Sequence, residues 1–293
     1  MMIRREVLED PVLGSQIEPG VVVFCCEHLN IRHESLLAAH LTVFTQVLQH
    51  PILAGMNIIL FDAMPDQNTI PATDFRAQHI HKILRLTQGD QFTMGIVNGV
   101  WGIATITSLE NGHVSFSFEK QGESAKLAPI TLLVAQVRPI CMKRILREAV
   151  SFGIERLVVT GADTAERSYQ SAKLWTSGEY SSYMLDGAMQ SGQTSMPSLI
   201  QVGSVDKALA LDIPWQTKLL LDPAAQLNPL SQIDSMQEPV VIAIGPERGW
   251  SERERKLFWQ QQFISCTMGS RILRTETACS AAIALTLGSL NIM

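Results

Sequence analysis

Two stretches near the end of the chain hold the residue types best suited to chemistry. IGPERGWSERE spans residues 244 to 254, and MGSRILRTETA spans 268 to 278. Each follows a short apolar run, PVVIA in the first case and ISCTM in the second. In the second stretch Arg271, Arg274 and Glu276 share one short loop. Two guanidinium groups and a carboxylate can stabilise developing negative charge and move a proton. They are also costly to order without a partner. In the first stretch Gly245 and Pro246 end a strand, and Gly249 lets the backbone turn or approach a ligand. Ser251 with Glu254 predicts a capping box and a helix start. Neither stretch is a P-loop or a G-x-G-x-x-G turn. A capped strand-to-helix turn accounts for either one alone. Two of them in the last two strand–helix units read as two walls of one pocket, at the strand ends where open α/β sheets bind ligands.

The histidines narrow the chemistry. All seven lie at or before His113. The C-terminal half therefore has no His base, no His metal ligand and no Ser-His-Asp triad of its own. Its chemistry must use carboxylates, arginines, lysines, hydroxyls and backbone amides, and no metal is expected. The five cysteines (Cys25, Cys26, Cys141, Cys266 and Cys279) form no C-x-x-C pair and read as reduced thiols of a cytoplasmic protein. No apolar run reaches the ~18 residues of a membrane helix, and VVVFCC (21–26), preceded by acidic residues, does not read as a signal peptide. The formal net charge is −5, so no global basic field points to nucleic acid, though a local basic face stays open.

These residues must be positioned by 293 residues, 46% hydrophobic, enough for more than one core. Residues 1 to 55 form an N-terminal extension of unknown role, with a candidate amphipathic helix over 36–48. Either Met56 is a true or alternative start, or the extension packs on the body. Residues 56 to 127 read as all-β with one short helix within 74–90. Asn98-Gly99 and Asn111-Gly112 each sit between alternating runs, which predicts two-residue hairpins with positive φ at both turn positions, and a small barrel or meander. A linker falls at 122–129. From 128 to 293, strands at 130–137, 156–160, 218–222, 239–244 and 264–268 alternate with helices near 141–152, 165–190, 251–261 and 276–290. That alternation predicts a parallel α/β sheet.

The motifs carry a resemblance. GPERGWSERE and MGSRILRTETA resemble the signature of the RsmE-type 16S ribosomal RNA (uracil-N3)-methyltransferases, of the SPOUT class. AMQSGQTSMP (188–197), HIHKILRLTQGD (79–90) and the MNIILF strand resemble further motifs of that family. The similarity spans about 56 to 293. It implies an α/β SPOUT domain with a C-terminal trefoil knot, preceded by a PUA-like β-barrel that binds RNA, in a homodimer. It implies S-adenosylmethionine as cofactor, held by Leu221, by Gly245, Pro246, Glu247 and Gly249, and by Met268, Gly269, Ile272, Leu273 and Thr277. His79 and Arg85 match the motif of the barrel and are the implied RNA contacts, while a surface Arg and a half-buried His are their plain alternative. Trp101 reads as core.

Methylating uracil N3 requires a base presented out of its stack, loss of the N3 proton, and alignment with the methyl donor. A positive group near O2 or O4 would stabilise the uridinate. Arg274 is assigned that role, with Arg271 second, and Glu276 either orients an arginine or acts as base. The chain departs from the family at Glu148, Ser151, Gln193, Arg248 and Trp250, losing positive charge at Glu148 and Gln193. Residues 56–293 carry 20 Lys and Arg against 22 Asp and Glu, a net charge of −2. Two further readings therefore stand beside the methyltransferase: a non-catalytic RNA- or ribosome-binding protein of the same fold, and a methyltransferase for another RNA. Lys143, Arg144 and Arg147 form either a phosphate-facing stripe or a solvated face. A nicotinamide dehydrogenase would need a G-x-G-x-x-G turn that is absent.

Overall fold

The computed structural model describes residues 58–223, 228–233 and 235–293. The expected helix over 36–48, the candidate start at Met56 and the pair Cys25-Cys26 lie outside them. The chain divides into two units, Met1–Ala54 and Gly55–Met293, and every element below belongs to the second.

The first part of that unit runs β1 (Ile59–Phe61), β2 (Thr69–Ile70), α1 (Phe75–His79), β3 (Gln91–Ile96), β4 (Trp101–Ser108) and β5 (Val114–Gly122). The sheet order is β1-β3-β4-β5-β2, so β1 and β2 are edges and the sheet is a curled half-barrel. Asp74 caps α1 by accepting the Arg76 backbone N–H at 2.8 Å. The helix runs on as a π turn over Ile80–Leu84 and stops at Arg85, whose φ is 54°. Asn111 and Gly112 both have positive φ (52° and 80°), as expected of the β4–β5 hairpin.

Asn98-Gly99 behaves differently. Only Asn98 is left-handed, at φ 56°, and the loop closes through Ile96 N–H to the Val100 carbonyl at 2.8 Å. The reason is tertiary. Asn98 donates its N–H to the Thr194 carbonyl at 2.8 Å, and its side-chain oxygen accepts the Met196 N–H at 2.8 Å. The loop is shaped by what it docks against.

The second part runs β6 (Ala128–Ala135), α2 (Pro139–Ser151), β7 (Ile154–Thr160), α3 (Lys173–Thr176), α4 (Tyr180–Ser191), β8 (Ser198–Val202) and α5 (Val205–Leu209). It continues through β9 (Thr217–Leu221), β10 (Val240–Ile244), α6 (Glu252–Gln260), β11 (Ile264–Cys266) and α7 (Thr275–Ser289). All six strands are parallel, in the order β11-β9-β10-β6-β7-β8. Strand β8 and helix α5 are additions to the sequence reading. The single helix expected over 165–190 is instead a 3-10 turn (Arg167–Ser171), α3 and α4. Gly178 at φ 74° separates the two helices.

The sheet is buried on both faces, as a parallel sheet must be. Ile130, Leu132 and Val134 of β6 pack on one side with α2, α4 and α7 residues. Leu133 and Ala135 pack on the other with Trp215, Trp250 and Phe258. Strand β1 joins the two parts. Ile58 and Leu60 enter the α/β core, while Ile59 and Phe61 enter the half-barrel core. Trp101 packs against the α/β core as well.

The basic stripe on α2 is engaged with its own fold. Lys143 pairs with Glu179 at 3.1 Å, and Arg147 with Asp186 at 3.2 Å. Both cations also sit over the Tyr183 ring, at 4.7 and 4.6 Å. Among the described residues, no helix is long and apolar enough to cross a membrane.

Candidate active site

The site follows from strand register. Ile244 of β10 lies level with Val134 of β6 and Leu221 of β9, and Leu221 lies level with Cys266 of β11. Strands β9, β10 and β11 thus end at one height, with β6 one residue longer, and their loops converge beyond it. There a cavity of about 1210 Å³ opens.

The loop after β10 is held in shape by its own helix. Ser251 caps α6 in a complete capping box, exchanging bonds with Glu254 as the sequence predicts. Glu254 is 1% exposed, and one carboxylate oxygen accepts the Asp163 N–H while the other accepts the Ser251 N–H, both at 2.8 Å. Asp163 accepts the Ser251 hydroxyl at 2.6 Å and two Arg253 bonds at 2.9 and 3.0 Å. Thr164 donates to the Gly249 carbonyl at 2.6 Å. The loop after β7 is thereby tied to the loop after β10. Gly249 stands at φ 69°, and a Cβ on Gly245 would press on the Gly249 backbone at 3.2 Å. The two glycines let this turn fold tightly on itself. A partly buried ion pair between Asp222, just after β9, and Arg255 of α6 braces the far side.

Most of the residues expected from sequence meet in this cavity. Leu221, Gly245, Pro246, Glu247, Gly249, Met268, Gly269, Ile272 and Leu273 line it, as do Arg271, Arg274 and Glu276. Thr277 does not: it is exposed on α7, and Thr275 lines the cavity instead. The i to i+2 spacing on a helix turns one threonine inward and the other out. His79 is half-buried and Arg85 exposed, both on the half-barrel part and outside the lining. Arg138, Cys141, Tyr169, Arg248 and Asp222 also line the cavity. A charge at the end of an apolar run was the available signal for Asp222 and Arg138. Nothing in the sequence pointed to Tyr169.

The electrostatics divide cleanly. Arg271 and Arg274 are exposed and have no hydrogen-bond or ion-pair partner among the described residues. Glu276 is 7% exposed, with Arg144 at 3.7 Å. Burial, and then Glu276, push the Cys141 thiol up from its ordinary value. Behind them Glu148 accepts the Ser280 hydroxyl, and burial, then the neighbouring Glu276, raise its carboxyl above the usual range. Glu148 and Gln193 do not line the cavity, and Ser151 bonds the Arg147 and Gly187 carbonyls at 2.9 and 3.1 Å, joining α2 to α4. Of the five departures from the family motifs, Arg248 and Trp250 reach the site.

Residues 123–287 match the RNA methyltransferase domain family. The chain is 35% identical over 243 residues to the ribosomal RNA small subunit methyltransferase E of Treponema pallidum, covering 80% of this chain and 91% of that one. It is 31% identical over 238 residues to ribosomal RNA small subunit methyltransferase E 1 of Borreliella burgdorferi, covering 80% and 99%. The chain belongs to this RNA methyltransferase family. The fold agrees. A crystal structure of the ribosomal RNA small subunit methyltransferase E of Neisseria gonorrhoeae bound to S-adenosyl methionine superposes with a TM-score of 0.66 at 24% identity, over 80% of this chain and 97% of that one.

The residues present suit a nucleoside-type cofactor of such a methyltransferase. Apolar Leu221, Ile244 and Met268 and the residues of two glycine turns line the cavity. Trp250, 2% exposed, lines it too, and its indole N–H has no hydrogen-bond partner among the described residues. Pockets of this kind combine apolar walls with few fixed polar groups.

One pH prediction follows from the tie between loops. The Arg253 bonds, then that of Ser251, hold the Asp163 carboxyl below its usual range. A carboxyl lowered on folding stabilises above its unfolded value, about 4, and loses that contribution as pH falls through the lowered one. Urea denaturation should show Asp163→Asn less stable than wild type near pH 7, with the gap closing below about pH 4. A gap independent of pH would contradict the assignment.

Proposed function

We propose that this protein methylates N3 of a specific uridine in 16S ribosomal RNA, with S-adenosylmethionine as the methyl donor. The observation that carries the reading is the meeting of the β9, β10 and β11 loops with Arg274 and Glu276 around one cavity. The relatives' names place their activity on small-subunit ribosomal RNA, and solved relatives hold S-adenosyl methionine. Bound at the strand-end loops, that cofactor supplies an electrophilic methyl group.

The chain's own residues then do the following. Leu221, Met268 and Leu273 cover an apolar ligand face, while the Gly245–Gly249 turn offers backbone groups. Glu247 and Glu276 place negative charge beside a cationic donor. Glu276, partly desolvated, takes the N3 proton, and the N3 lone pair attacks the methyl carbon as its bond to sulfur breaks. Arg274, without a partner among the described residues, balances the charge that develops on the uracil carbonyls, with Arg271 beside it. The half-barrel supplies RNA contacts through Arg85 and His79, in line with a division into an extension (1–55), a PUA-like part (56–127) and a methyltransferase part (128–293). The trefoil knot belongs to the same reading. Its support is the sheet order, in which the chain leaves β10 and passes β9 to reach β11.

A homodimer is also part of the reading. Helices α2 and α7 pack together and expose Ile140 and Leu285, and Ile292 and Met293 follow α7 in the same state. Sedimentation at micromolar concentration should give twice the 32.4 kDa chain mass; a monomer would sink the dimer.

The decisive assay is transfer of label from S-adenosylmethionine to small-subunit particles that lack the modification, with the product nucleotide mapped. Label should appear on uracil N3, and Arg274→Ala should lower kcat about 10²-fold with cofactor affinity kept. Cofactor binding without label on any small-subunit RNA would instead favour a non-catalytic RNA-binding protein or another RNA substrate.

A further inference from the structure

The cavity is larger than the proposed cofactor side of it, and its other wall has a charge pattern of its own. Opposite the β9, β10 and β11 loops, Arg138 and Cys141 at the start of α2 and Tyr169 in the turn after β7 complete the lining. Arg138 differs from the other basic residues that follow β6. Lys143, Arg144 and Arg147 each pair with a carboxylate: Glu179, Glu276 and Asp186. Arg138 is exposed and makes no ion pair among the described residues. It shares the cavity lining with Tyr169. Glu247, on the far loop, is the carboxylate whose field it feels, yet the two are not bonded.

The position of Arg138 is also unfavourable for stability. It is the N-cap residue of α2 and makes no side-chain cap bond. Arg274 is the N-cap residue of α7 and makes none either. Arginine is a poor cap, and a cation at a helix N-terminus opposes the helix dipole. Two helices thus open onto one cavity, each with an exposed arginine where a serine or aspartate would stabilise it more. Rule-breaking residues of this kind concentrate at functional sites. One of the two, Arg274, already has a role at the uracil ring. The second faces the same space from the other side.

We infer that Arg138, exposed in the cavity lining, grips an RNA phosphate next to the target uridine and so sets the approach of the base to Arg274. This rests on the reading of the substrate as small-subunit ribosomal RNA. A phosphate fits the observations better than a base edge. The guanidinium is uncommitted and accessible, its neighbour Tyr169 is itself half-exposed, and arginine binds phosphate by paired donors. Phosphate contacts position a nucleic acid without reading its sequence, which is what a flipped base needs.

The test uses the full chain and small-subunit particles lacking the modification. Binding is measured over a salt series for wild type, Arg138→Ala and Arg138→Lys, and S-adenosylhomocysteine affinity is measured alongside. Loss of one phosphate contact lowers the slope of log K against log salt by about one. Arg138→Ala should show that drop, with KM for the particles raised more than kcat is lowered. Arg138→Lys should restore the slope, and S-adenosylhomocysteine should bind all three alike. A wild type that methylates, with an unchanged slope in Arg138→Ala, would overturn the inference alone. A wild type that binds S-adenosylhomocysteine but neither binds nor methylates the particles would overturn the ribosomal RNA reading, and the inference with it.

Discussion

The cavity exists because Ile244, Leu221 and Cys266 end their strands at one level, beside Val134 near the end of β6. Register in a parallel sheet is set by side chains buried on both faces, since a one-residue slip would exchange the two cores. Here the exchange would carry Leu132, Ile242 and Leu219 from the α2–α7 face to the smaller core around Trp215, Trp250 and Phe258. The packed volumes differ, so the slip is unfavourable and the strand ends stay flush. Everything that lines the site inherits its position from that packing.

On this frame the loops are fixed by polar bonds rather than by apolar burial. Glu254 is a buried carboxylate, and it satisfies two backbone N–H groups from two different loops. An unpaired buried carboxylate would be strongly destabilising, whereas a satisfied one rigidifies its surroundings. The Asp222–Arg255 pair does the same for the end of β9. The residues left over are the ones suited to a ligand: Arg138, Arg271 and Arg274 carry charge without an ion-pair partner among the described residues. Stability is met by the carboxylate network, and the arginines are free for binding.

Legibility in the sequence followed the range of the interaction. The capping box at Ser251 and the Asn111-Gly112 hairpin depend on neighbours in the chain, and both could be read directly. So could the alternation that gives β6, β7, β9, β10 and β11. Strand β8 was missed because it is an edge strand, half-exposed along its length, with no continuous apolar run. Asn98-Gly99 was misread because its shape depends on Thr194 and Met196, about a hundred residues away. The stretch over 165–190 carries helical periodicity, and Gly178 breaks it. In the site, Arg274 and Glu276 were legible through a dense motif. Arg138 and Tyr169 were not, since their meeting depends on the β6 and β7 loops reaching the same cavity.

We propose that the loops after β9, β10 and β11 hold the methyl-donor cofactor. A crystal structure of the full chain with S-adenosylhomocysteine tests it most directly. The ligand should lie against Leu221, the Gly245–Gly249 turn and the Met268–Leu273 loop, with the Arg138 and Tyr169 wall left open. Ligand held on that opposite wall, or outside the cavity, would contradict it.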